Sequence, residues 1–287
     1  MANITAQMVK ELREATGAGM MECKKALTEA DGNFETAVDV LRTKGLAAVA
    51  KKAGRDTNEG TIVSLVSEDG KSAAMLELNC ETDFVAINEK FQAYANRIVK
   101  VVLDNKPTDI DALMACKDGD ESVEDIITDA IHVMGENTKI ARFKTIDADA
   151  VSTYVHTGGK IGVIADFDVD GIDISSAEFK QCAKDVAMQV AAMLPISATR
   201  DDVPQDVVEH EMSIYKAQAA ESGKPESIQE KIATGRLNKF YKEQCLTEQA
   251  FVKDPDKSVQ QYVDGVAKSL GGTIAIKGFV CYQLGEE

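Results

Sequence analysis

The sequence has 287 residues, 44% of them hydrophobic and 28% charged, an ordinary globular balance with length for two modest domains. Acidic side chains outnumber basic ones 48 to 32, and the formal net charge of -16 argues against nucleic-acid binding over most of the surface, because counterion release needs clustered Lys and Arg. No run approaches the roughly 18 apolar residues of a membrane-spanning helix, and Met1–Gly17 has neither a secretory apolar core nor a transit-peptide bias, so a soluble, cytoplasmic protein is expected.

Residues 4–44 predict three short helices. The first places Ile4, Met8, Val9 and Leu12 on one face behind a Thr5 N-cap, and Thr16-Gly-Ala-Gly19 breaks it. The second repeats at Cys23, Ala26, Leu27 and Ala30 until Asp31-Gly32-Asn33, and the third at Phe34, Ala37, Val38 and Leu41 before Gly45. Each is too short to hold alone in water, so the three must pack as a bundle. This head, residues 1–54, is near neutral, with eight basic and seven acidic side chains, which leaves the acidity to the body of the chain. Lys51-Lys-Ala-Gly-Arg55 reads as a hinge.

Beyond residue 60 the period changes. Thr61–Val66 and Ala73–Leu78 read as strands paired around Asp69-Gly70. A helix follows at Phe91, Tyr94, Ala95, Ile98, Val99 and Val102, then another from Val123 to Met134, ended by Gly135. Strand and helix return with a segment near Val151, a strand at Lys160–Ala165, and a helix over 176–193 that stops ahead of Pro195. The recurrence of strand, strand, helix predicts an internal duplication. Between its parts, 203–241 reads as an antiparallel helical hairpin. Val208, Met212, Tyr215 and Ala219 form a narrow stripe, Gly223 and Pro225 end the first arm, and Ile228 and Ile232 begin the second. Thr273–Tyr282 returns as a last strand. The organisation expected is α+β: a head at 1–54, one core unit at 55–150, a second at 151–202 and 242–287, and the hairpin at 203–241.

Six widely spaced cysteines (Cys23, Cys80, Cys116, Cys182, Cys245, Cys281) contain no CxxC, and the three histidines form no HExxH. Buried reduced thiols are the expectation, with no metal or cofactor. Gly158-Gly-Lys160 lacks the GxxxxGK[ST] frame and leads into a strand, so it is no phosphate loop. Two other stretches stand out. Met20 and Met21, adjacent at a glycine-rich turn, cannot both enter a small core, and flexible thioethers suit a binding surface. Leu78-Asn-Cys-Glu-Thr-Asp-Phe-Val-Ala86 joins strand to helix; Thr82 or Asp83 is a natural N-cap for a helix beginning near Phe84, which puts a large apolar ring at an exposed corner.

Thr16-Gly-Ala-Gly-Met-Met-Glu-Cys-Lys-Lys-Ala-Leu27 and Asn79-Cys-Glu-Thr-Asp-Phe-Val85 together resemble the elongation factor Ts family. The likeness continues in Gly135-Glu-Asn137 with Arg142, in the segment from His156 to Gly162, in Ser222-Gly-Lys-Pro225, and in Leu246, Gln249 and Phe251. The resemblance implies a ubiquitin-associated-like three-helix head, a duplicated α+β core with antiparallel sheets, and an inserted helical hairpin of dimerisation type. It implies a guanine-nucleotide exchange factor that makes no covalent bond and acts on elongation factor Tu. Thr82, Asp83, Phe84 and Val85 would then be a wedge that dislocates the magnesium ion, with Lys10, Arg13, Met20, Met21 and His156 as partner contacts. A homodimer or a 2:2 complex stays open. The sequence departs from the family at Ile87, where a basic or polar residue is usual, at Ala250, where proline is common, and in stopping at Leu284–Glu287 without a C-terminal helix. Two rivals are an adaptor that uses only the ubiquitin-associated-like head, and a thiol or histidine enzyme built on Cys80 and His156.

Overall fold

Helices α1 (Ala6–Thr16), α2 (Met20–Glu29) and α3 (Phe34–Lys52) form the head. The computed structural model describes residues 4–16, 18, 20–52, 54–221 and 223–286, apart from the side chains of Glu14 and residues 45–51. Gly17 and Gly19 of the glycine-rich turn, Ala53 of the expected hinge and Ser222 of the hairpin tip lie outside the described residues. Thr5 caps α1, its Oγ1 accepting from the Met8 amide at 3.2 Å. Val9, Leu12, Cys23, Ala26, Leu27, Ala37 and Leu41 bury together, the stripes that the three periodicities predict. Asp31 and Gly32 take positive φ after α2, and Asn33 Oδ1 accepts from the Thr36 amide at 2.9 Å to start α3. One expectation fails: α3 does not stop before Gly45 but runs to Lys52. A helical glycine costs only about 1 kcal/mol relative to alanine, and α3 packs along a core helix, where Lys52 Nζ donates to the Ile131 carbonyl at 3.2 Å.

The first core unit runs β1 (Glu59–Val66), β2 (Ser72–Cys80), α4 (Asp83–Ala86), α5 (Glu89–Asn105), α6 (Ile110–Ala115), β3 (Lys117–Asp118), β4 (Glu121–Ser122), α7 (Val123–Met134) and β5 (Lys139–Asp147). The second runs β6 (Ala150–Val155), β7 (Ile161–Asp170), α8 (Ala177–Met193), α9 (Gln205–Ala220), α10 (Glu226–Gln244), β8 (Ala250–Phe251), β9 (Asp254–Ser258), α11 (Val259–Leu270) and β10 (Thr273–Gln283). Both units order their antiparallel sheets alike, β1-β2-β5 and β6-β7-β10, with the second strand central. Their second long helices start alike too, on capping boxes at Ser122/Asp125 and Ser258/Gln261, and end on the left-handed glycines Gly135 and Gly271.

Each central strand is buried on both faces. On β2, Leu76 and Leu78 meet Phe91, Ile98, Val102 and Ile127 of α5 and α7. On β7, Val163, Ala165 and Phe167 meet Phe179, Val186 and Val263 of α8 and α11. The opposite faces meet each other through Ile62, Met75, Val151, Ile164 and Tyr282, so the core is a four-layer sandwich of helices, sheet, sheet and helices. Gly162 sits at a close approach of the two sheets, and a Cβ there would collide with Ile62 and lie 2.8 Å from Met75 Sδ. On this inner face Glu77 is 1% exposed and pairs with Arg142 at 2.8 Å, while Arg142 lies over the Tyr282 ring. The hairpin α9–α10 departs from this scaffold with little of its own core, Ala219 and Ala233 being its buried residues.

Candidate functional site

The corner after β2 is built from Cys80 onward. Thr82 adopts an extended conformation and caps α4, its Oγ1 accepting from the Val85 amide at 3.4 Å. The helix is a single turn, a length that has no stability of its own. Ala86 is buried and Val85 packs on the core, which turns Asp83 and Phe84 outward. Phe84 is 79% exposed and Ile87, at the end of the turn, 72%. The turn begins where the sequence places a helix start, near Phe84 behind Thr82, and the chain then restarts as α5 with Asn88 as a new N-cap.

Beneath the corner the Glu136 carboxylate, just past the αL Gly135, accepts from the Glu81 amide at 3.1 Å, the Thr82 amide at 3.0 Å and the Thr82 hydroxyl at 2.7 Å. In return the Glu81 carboxylate accepts from the Asn137 amide at 2.7 Å and pairs with Arg55 at 3.3 Å. On the far side Gln92 Nε2 donates to the Ala86 carbonyl at 2.6 Å. The Cys80 thiol donates to the Thr82 carbonyl at 3.2 Å, and burial, reinforced by the Glu136 charge, pushes its pKa up to about 12. Only the thiolate is a good nucleophile, so this sulfur is suited to packing and not to attack. The cysteines are free; Cys23, Cys80, Cys182 and Cys245 are buried, whereas Cys116 and Cys281, also expected to be buried, are half-buried.

His156 lies on the turn between β6 and β7. Its amide donates to the Ile161 carbonyl and its carbonyl accepts from the Gly159 amide, both at 2.9 Å, while Nδ1 faces the Tyr154 hydroxyl at 3.1 Å. The turn is pinned to the first sheet by the Ile62 amide, which donates to the Gly159 carbonyl at 2.7 Å. Gly159 has φ +69°, and a side chain there would strike Thr61 Oγ1, so this position requires glycine. A shallow cleft of about 400 Å³ runs from Ile87, Gln92 and Asn96 to Val155 and His156. The fold thus brings His156 to the same face as the corner, from a different sheet.

Lys10, Arg13, Met20 and Met21 lie elsewhere, on the head, and none lines that cleft. Both methionines are exposed, 60% and 66%, because the small core is already filled. Lys10 and Arg13 are exposed on α1. A second cleft of about 760 Å³ separates the head from α5 and α7, with His132 Nε2 3.7 Å from Glu22 across it. Among the described residues no group of His, Cys, Asp and Glu is arranged to hold a metal, and no helix is long and apolar enough to cross a membrane. Sequence reasoning noticed Glu136 only as part of a motif and gave it no role; its partners lie more than fifty positions upstream, beyond any local pattern.

An exposed aromatic thus stands on a braced corner, and a second exposed apolar pair stands on a separate head, with no metal-holding group among the described residues. A family model described as elongation factor TS matches residues 81–286. Proteins named elongation factor Ts from Trichlorobacter lovleyi, at 50% identity, and from Clostridium perfringens, at 47%, align over 99% of this chain and 93% of their own lengths. One from Clostridium botulinum is 46% identical over the same shares. The chain belongs to the elongation factor Ts family, and its role is in translation elongation.

Proposed function

We propose that this protein is a cytoplasmic guanine-nucleotide exchange factor that binds elongation factor Tu carrying GDP and speeds GDP release. The observation that carries the reading is Phe84, a phenylalanine 79% exposed on a corner braced from below. Burying such a ring in a partner is worth roughly 1.5–3 kcal/mol from area alone, and the free protein leaves that energy unspent.

The work divides by module. The head, residues 1–54, grips the GTPase with Lys10, Arg13, Met20 and Met21. The first core unit, 55–150, carries the wedge of Thr82, Asp83, Phe84 and Val85. The second, 151–202 with 242–287, presents His156 to another part of the partner, and the hairpin at 203–241 is an excursion that serves self-association. Asp83 and Phe84 displace the elements that hold magnesium, and loss of the divalent charge weakens the hold on the diphosphate. A factor that binds the nucleotide-free GTPase more tightly than the GDP form must weaken GDP binding by the same ratio, so no covalent chemistry or cofactor is needed. GTP then rebinds and expels the factor.

The test is release of fluorescent GDP from elongation factor Tu, chased with excess nucleotide, at increasing concentrations of this protein. A saturable acceleration is expected. Binding to elongation factor Tu with no acceleration would leave an adaptor and overturn the reading.

A further inference from the structure

We propose that Glu136 is a positioning residue for exchange: its carboxylate sets the angle at which Phe84 leaves the core. This rests on the exchange function above and extends it to a residue outside the wedge.

The argument begins with what α4 lacks. One turn of helix cannot hold itself, and the Thr82 capping bond to Val85 is long at 3.4 Å. Val85 and Ala86 anchor the rear of the turn in the core. At the front the Asp83 carbonyl accepts from the Ile87 amide at 3.1 Å, while the side chains of Asp83 and Phe84 are exposed and give no packing. The front is therefore set by residues 81 and 82, whose two amides point at one oxygen of Glu136 while the Thr82 hydroxyl donates to the other. Successive amides converging on an anion fix several backbone torsions at once, and bonds to a charged acceptor are stronger than neutral ones. The Glu81–Asn137 bond ties the same junction to the loop that leads into β5.

The second core unit supplies an internal control. Its α11 also ends on a left-handed glycine, Gly271, but the next residue is Gly272 where the first unit has Glu136. The junction it faces, from β7 into α8, carries no projecting turn; Ser176 caps α8 directly. The shared scaffold closes without a carboxylate at this place. In the second unit the Asp170 carbonyl lies where a Cβ at 272 would stand, and that junction closes backbone on backbone; in the first unit the place is open to a carboxylate, and it stands under the exposed aromatic.

The full chain, Glu136→Ala, Glu136→Gln, Phe84→Ala and the Glu136→Ala/Phe84→Ala double variant are compared in saturating GDP-release assays and in thermal melts. Glu136→Ala should lower the maximal rate by roughly tenfold or more, the loss expected when a charge-assisted bond set is removed, and leave the half-saturating concentration near its starting value, since the head still grips. Glu136→Gln should recover much of that rate, because its carbonyl still accepts both amides and its NH2 can donate to Thr82 Oγ1. With Phe84 already removed, Glu136→Ala should cost little more, as expected of two residues acting through one element. Amide hydrogen exchange at Glu81 and Thr82 should speed up in Glu136→Ala and not in Phe84→Ala. A Glu136→Ala protein with full rate beside a slow Phe84→Ala overturns the positioning role alone. Losses that add in full, or a Glu136→Gln as slow as Glu136→Ala with an equally lowered melting temperature, overturn it as well. A Phe84→Ala protein at full rate overturns the wedge reading and this inference with it.

Discussion

The two core units share sheet order, helix order and even the caps of their second long helix, yet they spend their connections differently. After β2 the first unit inserts a projecting turn, and Phe84 points away from the core. After β7 the second unit folds the corresponding stretch back, with Ile172 and Ile174 packed on its core and the Asp173 carboxylate accepting from the Ser175 amide and hydroxyl. Between its two long helices the first unit places the short α6, and the second places the whole hairpin α9–α10. The shared scaffold explains stability in both units, and the unshared connections are where function is to be sought.

The inner faces of the sheets give the largest expected effect. Each central strand puts an acid there, Glu77 on β2 and Asp166 on β7, but only Glu77 has an arginine. Arg142→Ala would leave the Glu77 carboxylate, 1% exposed, with the Gly285 amide at 3.1 Å but without its cation, which should cost about 3 kcal/mol in urea unfolding. If the cost is negligible, the Gly285 amide suffices for the charge and the two units differ less on their inner faces. Phe84→Ala should slow catalysed GDP release by more than about tenfold, because truncating an interface anchor typically costs at least about 2 kcal/mol. Its melting temperature should not move, since the ring makes no core; the opposite pattern would make Phe84 a packing residue. Gly272→Ala should destabilise by about 1–3 kcal/mol through overpacking, because the new Cβ would meet the Asp170 carbonyl. Gly265, on α11 with open space around it, is the control, and its change to alanine should stabilise by about 1 kcal/mol.

The smallest effect concerns Asp166. Burial raises its pKa, and the Lys277 charge offsets this only in part. At neutral pH the carboxylate is ionised in both folded and unfolded chains, and the folded state bears the desolvation. As pH falls through the raised folded value, the folded form takes up its proton first and the penalty disappears. Asp166→Asn should therefore raise the melting temperature slightly at neutral pH, with the gain fading in acid. A gain that is constant with pH would mean that the charge is not the cause.

Elements with a clean period were legible in the sequence. The apolar i, i+3, i+4 rhythm of α5 and α7 and the continuous apolar run of β2 gave those elements directly. β5 was not found: Lys139, Arg142 and Lys144 interrupt its apolar residues, and Arg142 is there because it pairs with the buried Glu77 across the inner face, a contact the local pattern does not show. The hairpins β3–β4 and β8–β9 are too short to show alternation. Residues 81–85 announced the corner because an apolar ring beside a capping threonine is a local signal. Glu136 gave none, since what matters about it is a contact closed by the tertiary fold.

Phe84 stands on the turn that follows the central strand of one sheet, and His156 on the turn that precedes the central strand of the other, so the thickness of the sandwich at Gly162 works as a calliper between them. A glycine at the jaw keeps that gap narrow, since a side chain there would press on Ile62 and Met75. Gly162 pairs with Val155, next to His156, so a change at residue 162 would shift the His156 turn against the first sheet and widen the gap to the corner that carries Phe84.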